Sequence, residues 1–115
     1  YYTFGSPQED IFVMKKDGSE PRQLTNDHHR ERVPRWSPDG KRLAFYSDRS
    51  GHYEIWTINA DGSGLQQLTR WPEKSNYYPI WSPDRNLLAF YKAGINTFLI
   101  EPDKSWSEQT PEALP

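Results

Sequence analysis

Part of this chain occurs twice in register, and that self-similarity limits what it can fold into more than any other feature. Ile11-Phe-Val-Met-Lys-Lys-Asp-Gly-Ser19 is matched by Ile55-Trp-Thr-Ile-Asn-Ala-Asp-Gly-Ser63, and Arg22-Gln-Leu-Thr25 by Gln66-Gln-Leu-Thr69, at a spacing of 44 residues (55 − 11). Pro34-Arg-Trp-Ser-Pro-Asp39 returns as Pro79-Ile-Trp-Ser-Pro-Asp84, and Leu43-Ala-Phe-Tyr46 as Leu88-Ala-Phe-Tyr91, at a spacing of 45 (79 − 34). A third, degraded copy begins at Leu99. Periods of about 40 to 45 residues that hold four short strands each belong to propellers, in which small sheets are arrayed around an axis.

The residues within one period explain how it folds. Pro-x-Trp-Ser reads as the innermost strand, with Trp36 and Trp81 as wedges between neighbouring sheets. Ser37 to Gly40 reads as a turn: Pro38 sets φ, Asp39 bonds nearby backbone and Gly40 accepts a positive φ. The second copy has Arg85 where the first has Gly40, and Asn86, which tolerates a left-handed backbone, is expected to substitute. Strands are expected near 43–46, 54–58, 87–91 and 97–100, with Asn59 to Gly62 as a hairpin turn. The chain thus reads as all-β and as a partial β-propeller of about two and a half four-stranded antiparallel blades. It forms one segment over 1–115: a partial first blade over 1–25, a second over 34–69 and a third over 79–110.

Composition agrees and removes several functions. Only 34% of residues are apolar while 15% are aromatic, so the core must be built from a few large side chains. Fourteen basic and sixteen acidic residues are interspersed, which leaves no basic stripe for a phosphate backbone and argues against nucleic acid. The chain has no cysteine, and no apolar run approaches the roughly 20 residues that a membrane helix needs, so membrane insertion is not expected. It begins at Tyr1 with its one Met at position 14, as a processed terminus or a piece of a longer parent would.

The phrases Ile-x-x-x-x-x-Asp-Gly-Ser, Gln-Leu-Thr, Pro-x-Trp-Ser-Pro-Asp-Gly-Lys-x-Leu-Ala-Phe and Ser-Asp-Arg-x-Gly resemble the TolB-type, WD-repeat-like β-propeller repeat family over nearly residues 11 to 100. The resemblance implies a six-bladed parent fold, found in periplasmic or extracellular proteins and also as a non-catalytic domain of certain serine peptidases. About two and a half blades fall short of closure, so either copies associate as a homo-oligomer or the chain is a fragment of a larger propeller.

No catalytic constellation stands out. Ser37 and Ser82 lie outside any Gly-x-Ser-x-Gly segment, and they recur at equivalent positions, as do Asp39 with Asp84 and Asp17 with Asp61. Repetition marks turn chemistry in place of a nucleophile or an acid–base pair. His28 and His29 beside Asp27 and Glu31 suggest a metal, yet adjacent side chains rarely converge on one ion, and a solvated loop is the preferred reading. No cofactor or metal is expected.

The residues that do not repeat are more informative, because the scaffold does not require them. In a propeller the loops between blades and the loops between second and third strands open on the same face. Here they carry His28, His29, Arg30, Arg32, Arg49, Tyr53, Trp71, Tyr77 and Tyr78. Arg, Trp and Tyr are enriched at binding hot spots, so this face is expected to bind a protein or peptide. Two alternatives remain: an accessory propeller of a serine peptidase, and a metal-dependent sugar lyase propeller.

Overall fold

The computed structural model describes residues 9–26, 28–71 and 75–114. Within them the chain runs through β1 (Phe12–Val13), β2 (Arg22–Gln23), β3 (Glu31–Trp36), β4 (Arg42–Ser47), β5 (Glu54–Asn59), β6 (Gln66–Gln67), β7 (Asn76–Trp81), β8 (Leu88–Lys92), β9 (Asn96–Ile100), a single 3-10 turn at Trp106–Glu108, and β10 (Glu112–Ala113). All pairings between these strands are antiparallel. β3-β4-β5-β6 and β7-β8-β9-β10 form two four-stranded meanders, preceded by the two-stranded β1-β2. This is the expected all-β partial propeller, and the four expected strands are present. β3 and β7 begin at Glu31 and Asn76, three residues before Pro34 and Pro79, and β10 lies beyond residue 110.

The early start of β3 and β7 has one cause. Between the pairs Arg32↔Tyr46 and Arg35↔Ala44, two residues of β3 oppose Phe45 alone; between Tyr77↔Tyr91 and Ile80↔Ala89, two residues of β7 oppose Phe90 alone. Each is a β-bulge, and at each the residue before proline, Val33 or Tyr78, has left-handed φ of 52° or 55°. A proline has no N–H to give to the ladder, and a bulge is one of the few places in a strand that accepts it.

The repeated turns close as their residue types require. Asp17 and Asp61 accept the backbone N–H of Ser19 and Ser63, both at 2.9 Å. Ser37 Oγ donates to Asp39 Oδ1 at 2.6 Å and accepts the Arg42 N–H at 3.0 Å. Ser82 Oγ likewise donates to Asp84 at 3.2 Å. Asn86 differs from expectation: it is not among the positive-φ residues, and its side-chain amide instead donates to Asp103 Oδ2 at 2.6 Å. The Arg85 carbonyl accepts the Leu87 N–H at 2.8 Å, so this turn closes without a left-handed residue.

Two apolar layers hold the sheets together. Ile11, Val13, Leu43, Phe45 and Ile58, with Trp36 against them, join the first and second blades. Ala44, Tyr46, Ile55 and Leu68 meet Trp81, Leu88, Phe90 and Ile100 between the second and third. Trp81 is buried and its Nε1 donates to the Arg35 carbonyl at 2.9 Å, whereas Trp36 is half-buried. Trp81 is therefore the wedge that the repeat predicted, and Trp36 fills the equivalent place less completely.

Candidate functional site

The starts of β3 and β7 and the loop before β5 converge on one face. Tyr46, at the end of β4, is buried and forms edge contacts to Tyr53, Tyr77 and Tyr78, with ring centroids 5.2, 5.3 and 5.6 Å apart. Tyr53 also lies 5.6 Å from Tyr77, which lies 5.8 Å from Tyr78. Such pairs contribute about 0.5–1.5 kcal/mol each beyond the area they bury. Tyr78 remains 58% exposed, so the cluster has a buried root and an open surface. The β7 bulge puts Tyr78 there, since the residue that the extra position adds is displaced from the regular alternation.

Arg32 borders this cluster, its guanidinium 5.8 Å from the Tyr53 ring centroid. Its Nε and Nη2 each donate to the Glu9 carboxylate at 2.7 Å, a two-point pairing that fixes the guanidinium plane. That hydrogen bonding is the largest cause lowering the Glu9 pKa and raising that of Arg32. Burial, followed by the neighbouring Tyr78, pushes the Tyr46 hydroxyl pKa up.

Arg32, Tyr53, Tyr77 and Tyr78 are thus brought together, and the other five residues of the expected face are placed differently. Arg49 turns inward, donating to the fully buried Glu31 and lying 5.2 Å from the Trp56 ring. Trp71 packs against Phe98 and Trp106, with the Lys92 ammonium 4.2 Å from its ring centroid. His28 is exposed, His29 stands 3.9 Å from Asp48, and the Arg30 backbone N–H donates to Asp48 at 2.8 Å. Asp27, part of the metal possibility, lies outside the described residues. Among the described residues no three His, Cys, Asp or Glu side chains are grouped to hold a metal ion.

Sequence reasoning missed the polar links beneath the cluster. Glu54 and Asp10, each just before a repeated isoleucine, are buried. The Ile55 and Ile11 N–H groups donate to Thr69 and Thr25, both at 2.9 Å. The acid and the threonine recur at the same 44-residue spacing as the motifs (54 − 10 and 69 − 25), which is the signal that would have found them.

Residues 4–111 match the family described as the TolB beta propeller domain. The chain belongs to this family. The Tol-Pal system protein TolB of Zymomonas mobilis is 43% identical over 54 residues, which are 45% of this chain and 12% of that protein. Dipeptidyl-peptidase 5 of Porphyromonas endodontalis is 36% identical over 62 residues, 54% of this chain and 9% of that one. A solved structure from Agrobacterium tumefaciens, of a protein provisionally called TolB, superimposes with a TM-score of 0.77 at 27% identity over 91% of this chain and 40% of that one. This TolB-type chain spans at most 30% of the length of the first curated relatives it matches.

Proposed function

We propose that this chain is a stretch of propeller scaffold that does no chemistry itself and binds a protein or peptide through its tyrosine-rich face. The observation that carries the reading is the cluster of Tyr46, Tyr53, Tyr77 and Tyr78 beside Arg32, rooted in the core and open at Tyr78. Packing already limits the motion of these side chains, so a partner immobilises little more on binding. Arg49, paired with Glu31, and Trp71, packed on Phe98 and Trp106, brace the segments beside the cluster.

The family supports placing the parent protein in the periplasm or at the cell surface. The dipeptidyl-peptidase relative favours a second reading, an accessory propeller whose hydrolase residues lie outside this stretch. A Gly-x-Ser-x-Gly segment in the parent reading frame decides between the two. In either case the third blade takes a neighbour, supplied by a second copy or by further blades.

Selection of randomised peptides displayed on phage tests the binding reading. Peptides enriched on the wild-type chain are expected to weaken tenfold or more against Tyr78→Ala, and a similar amount against Arg32→Ala. Peptides that bind both variants as well as wild type, or no enrichment at all, would overturn it.

A further inference from the structure

One buried carboxylate ties together the two loops that carry the tyrosine cluster. Glu54 Oε1 accepts from Asn76 Nδ2 at 2.6 Å, and Oε2 accepts the Trp71 backbone N–H at 3.1 Å. His52 Nε2 stands 3.5 Å from Oε1 and 3.0 Å from the Trp71 carbonyl. A carbonyl only accepts, so Nε2 carries a hydrogen and donates it to the Trp71 carbonyl while standing beside the carboxylate. Tyr53 lies between His52 and Glu54 in the chain, and its own backbone completes the tie. Its N–H donates to Ser75 Oγ at 3.2 Å and its carbonyl accepts the Asn76 N–H at 2.7 Å. Tyr77 follows Asn76 directly.

We propose that Glu54 is a pH-sensitive latch that sets the geometry of the tyrosine cluster. This rests on reading the cluster as a binding surface, and it names that surface's regulation. Ionised, the carboxylate holds the Trp71 N–H and the Asn76 amide, which keeps the loop before β5 against the segment entering β7. Both oxygens face donors, so a proton on either one sets a donor against a donor and releases part of the tie. The tyrosines on either side of it then lose their fixed spacing.

The surroundings set the direction. Burial is the largest influence on Glu54 and raises its pKa above the usual glutamate value, while Asn76, His52 and Trp71 act against it. On β8, Lys92 lies opposite Asn76 in register and over the Trp71 ring. On β4, Ser47 lies opposite Glu54, and beyond it Glu31 is ion-paired with Arg49. The donors favour the ionised form relative to a carboxylate buried without them, so protonation is what loosens the tie, and burial sets that protonation above the usual glutamate range.

A pH titration followed by 15N–1H and aromatic NMR tests the proposal without any ligand. The Trp71 backbone amide, the Asn76 side-chain amide and the Tyr53 and Tyr77 ring signals are expected to share one midpoint above the usual glutamate range of about 4.3. Glu54→Gln, nearly identical in shape, is expected to abolish that midpoint. His52→Ala, which removes an electrostatic influence that favours the ionised form, is expected to move it to higher pH, and serves if Glu54→Gln fails to fold. Tyrosine signals that do not follow Trp71, a midpoint that survives Glu54→Gln, or one unmoved by His52→Ala would overturn the latch. Those outcomes are distinct from failure of the binding surface, which is read from peptides that ignore Tyr78.

Discussion

Trp81 and Trp36 stand at equivalent places in the repeat, yet Trp81 is buried and Trp36 only half-buried. Trp81→Ala is expected to cost about 3–5 kcal/mol, as for a large aromatic side chain removed from a closed interior. Trp36→Ala leaves a half-open site and is expected to cost roughly 1.5–3 kcal/mol, nearer the transfer value alone. Urea unfolding of the two variants checks the order. The Glu9–Arg32 pair is also released by acid, but at lower pH than Glu54, because pairing lowers the one carboxyl pKa while burial raises the other. The pairing lowers the Glu9 pKa in the folded chain. Its stabilisation is therefore fully present above the unfolded value of about 4.3 and is lost as pH falls through the lower folded value. The pair is partly exposed, so the loss is expected to be about 0.5–1 kcal/mol. Unfolding of wild type and Glu9→Gln at pH 7 and pH 3 should show a gap that closes in acid. The tyrosine and arginine members of the site were legible because those residue types stand out at positions the repeat leaves free. The inward turn of Arg49 was not, because it follows from the buried charge of Glu31, and burial is not written in residue type.

At the scale of elements, turn chemistry was the readable part. Gly62 occupies the β5–β6 hairpin with φ of +92°. Gly62→Ala is expected to destabilise by about 1–2 kcal/mol through the left-handed backbone alone, since the nearest atom, Leu24 Cδ2, lies at an ordinary 3.7 Å. Thermal unfolding of this variant measures it. The bulges at Val33 and Tyr78 were not readable for the opposite reason. A β-branched valine and a bulky tyrosine are poor residues for positive φ, so local preference argued against the conformation that the sheet imposes. The prolines that follow, which read as strand starts, mark the bulge in both copies. Asn86 shows the converse: a residue tolerant of left-handed backbone took a side-chain bond to Asp103 instead, a contact between distant parts of the chain that no local pattern encodes.

For the whole molecule, the repeat gave the architecture because each blade buries the face of the one before it, and this same logic exposes the face of the last. Tyr46 on β4 is 5% exposed beneath the third blade, whereas Tyr91, its counterpart 45 residues on, is 41% exposed (91 − 46). Ile80, opposite Ala89 on the neighbouring strand, is also exposed, which places two large apolar side chains on one uncovered sheet. Contiguous apolar surface of this kind marks an interface, and mass action makes its occupation depend on concentration. Solutions of the chain are therefore expected to associate through the third blade, with light scattering showing a mean mass that falls on dilution. Ile80→Lys puts a charge in the centre of that face, away from the tyrosine root and the turns. It is expected to shift the association midpoint to at least tenfold higher concentration while leaving the β-type circular dichroism unchanged. A wild-type mass equal to one chain at every concentration, or an association unaffected by Ile80→Lys, would show that this face is not where copies meet.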